Sequence, residues 1–193
     1  ASMELTRRDA AAALAAIGAT GGVALGVRRA GDGDAARRGD DRPADEGGSG
    51  TGGLPDDEAV HETMRAVAAV VYPGAVSGVD AFVDGFLDGR LDGSSHDEGI
   101  RAAVADVEAA SRSWYDAPIA DLSVADRESL LRELGTATAD ENPDGTTAER
   151  VRYYVVNELL LALYASPTGG ELVGIENPQG YAGGAESYTR GPP

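Results

Sequence analysis

Apolar residues recur along the middle of the chain at the spacing of one face of a helix. Four of them, separated by four, three and four positions, are Val60, Met64, Val67 and Val71. Pro73 follows and interrupts the pattern. The spacing predicts an amphipathic helix of about four turns, which begins in the acidic run before Val60 and ends near the proline.

Three further stretches show the same periodicity, and each follows a serine, a residue typical of helix N-caps. The predicted helices follow Ser77, Ser95 and Ser123. We place Trp114 on the buried face of the helix after Ser95 and expect Gly135 to end the helix after Ser123. Each helix is amphipathic and is therefore expected to pack one face on a common core.

The last periodic stretch, RVRYYVVNELLLALY, is apolar nearly all round. It follows Thr146 and Glu149, which have the spacing of a capping box. A helix without a polar face is expected at the centre of a fold, and ELVGI is the one short strand candidate. We therefore predict an all-α protein: a compact bundle of about five helices around a buried C-terminal helix, with an irregular C-terminal strap and a disordered N-terminal region.

Glu158 stands inside this apolar helix, where an unpaired charge would be costly. We predict a buried structural acid rather than a catalytic one, in an ion pair with an arginine. The candidate partners are Arg101, Arg112 and Arg132. No residue set in the sequence supports hydride, phosphoryl or acyl transfer, so we predict no catalytic, cofactor-binding or metal-binding residue in this chain.

Other candidate ligands and acids have ordinary structural explanations. Four aspartates recur at every fourth position over 80–92 but lack the spacing of a calcium-binding loop, so a solvated acidic face is expected. The two histidines, His61 and His96, are predicted to be surface or capping residues. The chain has no cysteine, which excludes disulfides, thiolate chemistry and iron–sulfur clusters.

The charge of the chain is strongly negative. All 16 basic residues are arginine, against 33 acidic residues, for a formal net charge of −17. This balance argues against nucleic acid or an anionic membrane surface as a partner. An acidic surface without lysine is expected of a protein adapted to concentrated salt, although a codon bias toward arginine would also remove lysine.

The N-terminus resembles a twin-arginine export signal. Arg7 and Arg8 precede the uncharged, Ala- and Gly-rich stretch 10–27. We predict that residues 1–29 form this signal or an anchor, because twin arginines are an address read by a translocase. The alternatives are an ordinary Ala-rich helix and, more weakly, a membrane span.

A composition change separates this segment from the rest of the chain. Residues 30–53 contain almost no large apolar side chain and many Gly, Asp and Arg residues. Such a stretch cannot offset the entropy of ordering, so we predict a flexible acidic Gly-rich linker. The folded domain is expected to span residues 54–193.

The sequence after the last helix, LYASPTGGELVGIENPQGY, is predicted to break at Pro167 and to turn at Gly169 and Gly170. With the buried helix and the N-terminal signal, it resembles the gluconate 2-dehydrogenase subunit 3 family over roughly residues 54–190. The most specific part is the Gly-Gly pair followed by Gly-x-x-x-Pro-x-Gly-Tyr.

The resemblance implies an accessory subunit without a cofactor of its own. Its partner is expected to be a large flavoprotein of the glucose-methanol-choline oxidoreductase class, which holds FAD and oxidises a sugar or polyol, accompanied in some complexes by a cytochrome subunit. The small subunit would carry the signal by which the twin-arginine translocase exports the complex to the outer side of the cytoplasmic membrane, where the complex stays membrane-associated.

An extended tail with aromatic and amide side chains suits contact with another protein. The predicted interface residues are Tyr164, Pro167, Gly169, Gly170, Asn177, Pro178, Gly180, Tyr181, Tyr188 and Arg190. Alternatively, the tail only covers its own bundle. Two other functions stay open: an autonomous exported hydrolase that uses Glu158, and a structural cell-surface module.

Overall fold

A computed structural model describes residues 3–18 and 53–174. The described part is mostly helical, as predicted, with one short two-stranded parallel sheet. In chain order its elements are β1 Met3–Glu4, α1 Arg7–Gly18, α2 Asp57–Val71, β2 Val76–Ser77, α3 Val79–Leu87, α4 Ser95–Tyr115, a 3-10 turn Ile119–Asp121, α5 Val124–Glu133, α6 Thr147–Val151, a π-helical segment Arg152–Asn157, α7 Glu158–Ala165 and α8 Pro167–Leu172.

Several helix boundaries follow the local signals in the sequence. The side chain of Ser123 caps α5, and Gly135 follows that helix with a φ of 82°. Thr146 and Glu149 form the predicted capping box at the start of α6. These ends are set by hydrogen bonds over three or four residues, which is why sequence spacing was sufficient to find them.

Two predicted caps were wrong. Ser77 belongs to β2, where its carbonyl accepts a hydrogen bond from the Leu5 amide at 2.8 Å, so α3 begins after Gly78 instead. Gly78 has a φ of 72°, a left-handed conformation that glycine adopts without strain. Helix α4 is capped one residue earlier than predicted, by Ser94, whose hydroxyl accepts from the Asp97 amide at 3.3 Å.

The core lies between α2 and the C-terminal helix. The predicted last helix is one continuous run of α6, the π-helical segment and α7, and the bundle around it confirms the predicted fold class. Helix α2 is equally central, because it contacts α3, α4, α5 and the C-terminal run. The prediction for Trp114 was wrong: it is 47% exposed.

The N-terminal segment 3–18 packs on the domain, which the sequence did not predict. Strand β1 pairs with β2, and α1 lies against α3 and α7. Leu5, Ala10 and Ala13 are buried in the same core as the bundle. Helix α1 comes close to the chain at Gly89, where an added Cβ would lie 2.6 Å from a methyl of Leu14 and that side chain would have to move.

Polar contacts hold the same segment in place. The Asp9 carboxylate caps α1 by accepting from the Thr6 amide at 2.7 Å. Its other oxygen accepts from the Thr168 hydroxyl at 2.9 Å, across 159 positions of sequence. The N-terminal segment is therefore hydrogen-bonded to α8, the last helix of the described chain.

The chain after α7 is more regular than predicted. Ser166 caps α8 by accepting from the Gly169 amide at 3.0 Å, and Pro167 occupies the first turn, where a missing N–H costs nothing. The predicted turn at Gly169 and Gly170 was wrong, because both glycines are helical and buried. In the described ranges, no helix combines the length and apolar character needed to cross a membrane.

Candidate functional site

Glu158 is at the centre of a buried charge cluster. Its side chain is 5% exposed, and its Oε1 accepts hydrogen bonds from the guanidinium of Arg90. Its Oε2 lies 3.3 Å from Nε2 of His96, which is also 3.2 Å from Arg90 Nη2. We call Arg90, His96 and Glu158 the Glu158 cluster. Both carboxylate oxygens are engaged, as a buried charge requires.

The ion pair forms with an arginine other than the three candidates. Each candidate instead pairs with a carboxylate four residues away on its own helix. The observed pairs are Arg101–Asp97, Arg112–Glu108 and Arg132–Glu128. Such pairs form locally, whereas Arg90 reaches Glu158 across 68 positions, and no sequence spacing signals that contact.

An aromatic group borders the Glu158 cluster. The ring centroids of His96 and Tyr154 are 5.4 Å apart, and Tyr153 packs edge-on against Tyr154 at 4.8 Å. Burial raises the pKa of Tyr154, with smaller contributions from Tyr153 and Asp144, so this phenol stays neutral. His96 was predicted to be a surface or capping residue; it is instead a half-buried member of this group.

The π-helical segment positions part of this group. Its wider turn inserts an extra residue between α6 and α7 and so changes the direction in which the following side chains point. Tyr153 and Asn157 of this segment and Glu158 directly after it line the same pocket. Such segments are frequent at functional sites, but the sequence carries no simple signal for them.

The pocket has a volume of about 410 Å³. The Glu158 cluster and the two residues of the π-helical segment form part of its lining, and Glu141 contributes a further carboxylate. Leu160, Leu161 and Tyr164 of the C-terminal run supply an apolar part. The pocket therefore combines charged groups with aromatic and aliphatic surface, in the size range of small-molecule and side-chain sites.

Helix α7 presents large apolar residues to solvent at this pocket. Leu161 is 46% exposed and Tyr164, three residues later, is 44% exposed, whereas Leu159 and Leu163 of the same helix are fully buried. Neighbouring exposed apolar residues at a pocket are typical of a surface that contacts another molecule. Tyr164, a predicted interface residue, is thus accessible.

The other predicted site residues fall into three groups. Arg7 and Arg8 are exposed in the first turn of α1. Pro167 is half-buried in α8, beside the buried glycines described above. The remaining predicted interface residues lie outside the described part of the chain: Asn177, Pro178, Gly180, Tyr181, Tyr188 and Arg190.

A second charge cluster lies between α2 and α3. Asp84 Oδ1 accepts from Arg65 Nε at 2.6 Å and lies 3.1 Å from Nδ1 of His61. The predicted solvated face of aspartates was wrong at Asp84, because this side chain is half-buried and paired with Arg65 and His61 of α2. Burial acts to raise the pKa of Asp84, but the hydrogen bonds from Arg65 and His61 outweigh it and lower that pKa.

The group formed by Asp84, Arg65 and His61, which we call the Asp84 cluster, is expected to make the stability of the fold sensitive to acid. A carboxyl group with a lowered pKa in the folded state stabilises the fold above its unfolded pKa, about 3.9, and loses that contribution as the pH falls through the lower folded value. We expect Asp84→Asn to reduce stability at neutral pH and to flatten its decline below about pH 4.

Denaturant unfolding from pH 6 to pH 3 at constant salt measures this effect. Asp88→Asn is the matched control, because Asp88 is exposed and lies four residues further along the same chain segment. Identical pH profiles for the two variants would show that the Asp84 cluster does not contribute to the acid response.

The described residues form a small helical fold with an open pocket, beside which Leu161 and Tyr164 are exposed. Across residues 3–18 and 53–174, no group of three or more His, Cys, Asp or Glu side chains could hold a metal ion.

The profile of the gluconate 2-dehydrogenase subunit 3 family matches residues 58–183, which is more than half of the chain. The chain therefore belongs to this family, as its tail sequence predicted. Comparison with curated proteins and with solved structures returned no match. The matched region contains the whole pocket and most of the predicted interface residues.

Proposed function

We propose that this chain is a non-catalytic accessory subunit of an exported FAD-dependent sugar or polyol dehydrogenase. Membership in a family named for a dehydrogenase subunit carries the proposal. In this arrangement the catalytic subunit, of the glucose-methanol-choline class, holds FAD, and a cytochrome subunit accepts electrons in complexes that contain one. The present chain stabilises the catalytic subunit and carries the export signal.

The geometry around Glu158 supports an accessory role over that of an autonomous hydrolase. A general acid must present a free carboxyl oxygen to its substrate. In the Glu158 cluster, however, one oxygen is held by Arg90 and the other faces His96. The exposed Leu161 and Tyr164 beside the cluster instead favour contact with a protein surface.

The position of the two N-terminal arginines supports a role in export. Arg7 and Arg8 are exposed at the start of α1 and so are accessible to a translocase receptor, whereas the apolar stretch that follows, with Ala10 and Ala13 in the core, would have to be released from the domain to be read. The twin-arginine route accepts folded cargo, and a signal on the small subunit would serve a catalytic subunit that has none.

The proposal predicts recovery of a flavoprotein with this chain. The tagged full-length chain, purified from its native host in molar salt, should bring down a large protein in stoichiometric amount, identified by mass spectrometry and by the flavin absorbance. The double variant Arg7→Lys with Arg8→Lys should leave the complex intact but retain both proteins inside the cell.

Two results would contradict the proposed function. The wild-type chain recovered alone, colourless and monomeric, would favour an autonomous protein. If the arginine substitutions did not affect export of the flavoprotein, this chain would not carry the export signal, although its role as a subunit would stand.

A further inference from the structure

The pocket beside Glu158 has an excess of negative charge. It is lined by the carboxylates of Glu158 and Glu141, by the guanidinium of Arg90 and by the imidazole of His96, which faces Glu158. Arg90 is already bonded to Glu158, whereas Glu141 is exposed and makes no hydrogen bond or ion pair with another side chain in the part of the chain that the structure describes. A cation would therefore find a carboxylate available at the edge of this pocket.

The apolar part of the pocket suits the remainder of a long cationic side chain. Leu161 provides aliphatic surface against which a methylene stem can pack. Tyr153 and Tyr164 provide aromatic rings whose faces attract a guanidinium or ammonium group. The same chemistry occurs inside the protein, where the guanidinium carbon of Arg90 lies 5.7 Å from the ring centroid of Phe86.

Other occupants match this lining less well. An acidic side chain would be repelled by Glu141 and would compete with Glu158 for Arg90. A purely apolar side chain would remove water from the Glu158 cluster without supplying a polar contact in return. A cation with an apolar stem matches both the carboxylate and the apolar part of the pocket.

We propose that this pocket receives an arginine or lysine side chain of the catalytic subunit. The charged end lies toward Glu141, and the stem packs against Leu161 and Tyr164. This inference rests on the proposed function, because it assigns the contact to that partner. In this arrangement the pocket provides the specificity of the interface, and the exposed apolar residues of α7 form the contact surface around it.

Charge substitutions test the inference. The probe is the intact complex: each tagged variant replaces the wild-type chain in the native host, and the flavoprotein that stays bound to it is measured as the purified complex is diluted. We expect Glu141→Arg to weaken binding about tenfold or more, Glu141→Gln to weaken it less, and Leu161→Asp to weaken it about tenfold or more. The wild-type affinity should also fall more steeply with salt than that of Glu141→Gln.

Two matched controls carry the same chemical changes elsewhere. Glu133→Arg reverses an exposed charge on α5, and Val124→Asp replaces a residue that is 54% exposed on that helix. Neither residue lines the pocket. Both controls should bind like the wild type, and thermal unfolding of every variant verifies that it is folded.

The outcomes separate the inference from the function on which it rests. If Glu141→Arg binds as tightly as Glu133→Arg, the cationic contact is wrong while the subunit role stands. If Glu141→Arg binds more tightly than the wild type, the occupant is acidic, and the inference is overturned. If the wild-type chain captures no flavoprotein, the proposed function and this inference are both overturned.

Discussion

Deletion of residues 1–18 is expected to lower the free energy of unfolding by about 5 kcal/mol or more. The deletion removes the buried side chains of Leu5, Ala10 and Ala13 and exposes the apolar surface of α3 and α7 that α1 covers. Such a loss is comparable to the whole stability of many domains. Denaturant unfolding of the purified chain at constant salt measures it, and a broad or absent transition is the extreme form of the expected result.

Two variants separate the structural role of the N-terminal segment from its proposed role as a signal. Leu5→Ala should cost about 2–5 kcal/mol of stability because it leaves a cavity in the core. The exposed pair Arg7→Lys and Arg8→Lys should change stability by less than about 0.5 kcal/mol. If the chain without residues 1–18 were as stable as the wild type, the docking of α1 would contribute nothing to the free energy of unfolding.

Replacement of Arg90 is expected to be the most damaging single change at the site. Arg90→Ala leaves the Glu158 carboxylate buried with only His96 beside it. Removing one partner of a buried ion pair typically costs about 3–5 kcal/mol, because the remaining charge stays desolvated. Chemical denaturation of the variant measures this loss.

Two further variants test whether the loss of stability comes from the unpaired carboxylate of Glu158. In the Arg90→Ala background, Glu158→Gln should recover part of the lost stability, since it removes the charge that had no partner. Arg132→Ala is the control, because it removes an exposed ion pair with Glu128 and should cost less than about 1 kcal/mol. Equal losses for Arg90→Ala and Arg132→Ala would be inconsistent with a buried pair.

The site was only partly predictable from the sequence. Glu158 was recognisable because it is a lone charge in an apolar run, and burial of such a charge requires a partner. The identity of the partner was not recognisable, because Arg101, Arg112 and Arg132 looked equally suitable and each has a carboxylate within its own helix. Only the packing of the chain segment after α3 against α7 places Arg90 there.

The exposure of the C-terminal helix shows the same limit. Its composition predicted burial on all sides, yet Leu161 and Tyr164 face solvent. The hydrophobicity of a side chain determines the free-energy cost of exposing it to water, but it does not determine whether the fold has enough neighbouring elements to cover it. The π-helical segment adds a change of direction before α7 that helical periodicity does not contain.

Local sequence was sufficient for the helical class, most helix positions, the capping box at Thr146 and the family to which the chain belongs. These features depend on residues within one or two turns of each other and on a short distinctive tail. Tertiary structure alone decided the docking of residues 3–18, the partner of Glu158 and the shape of the pocket. Each of these joins distant parts of the chain, and such contacts depend on how complete helices pack rather than on the spacing of residues within them.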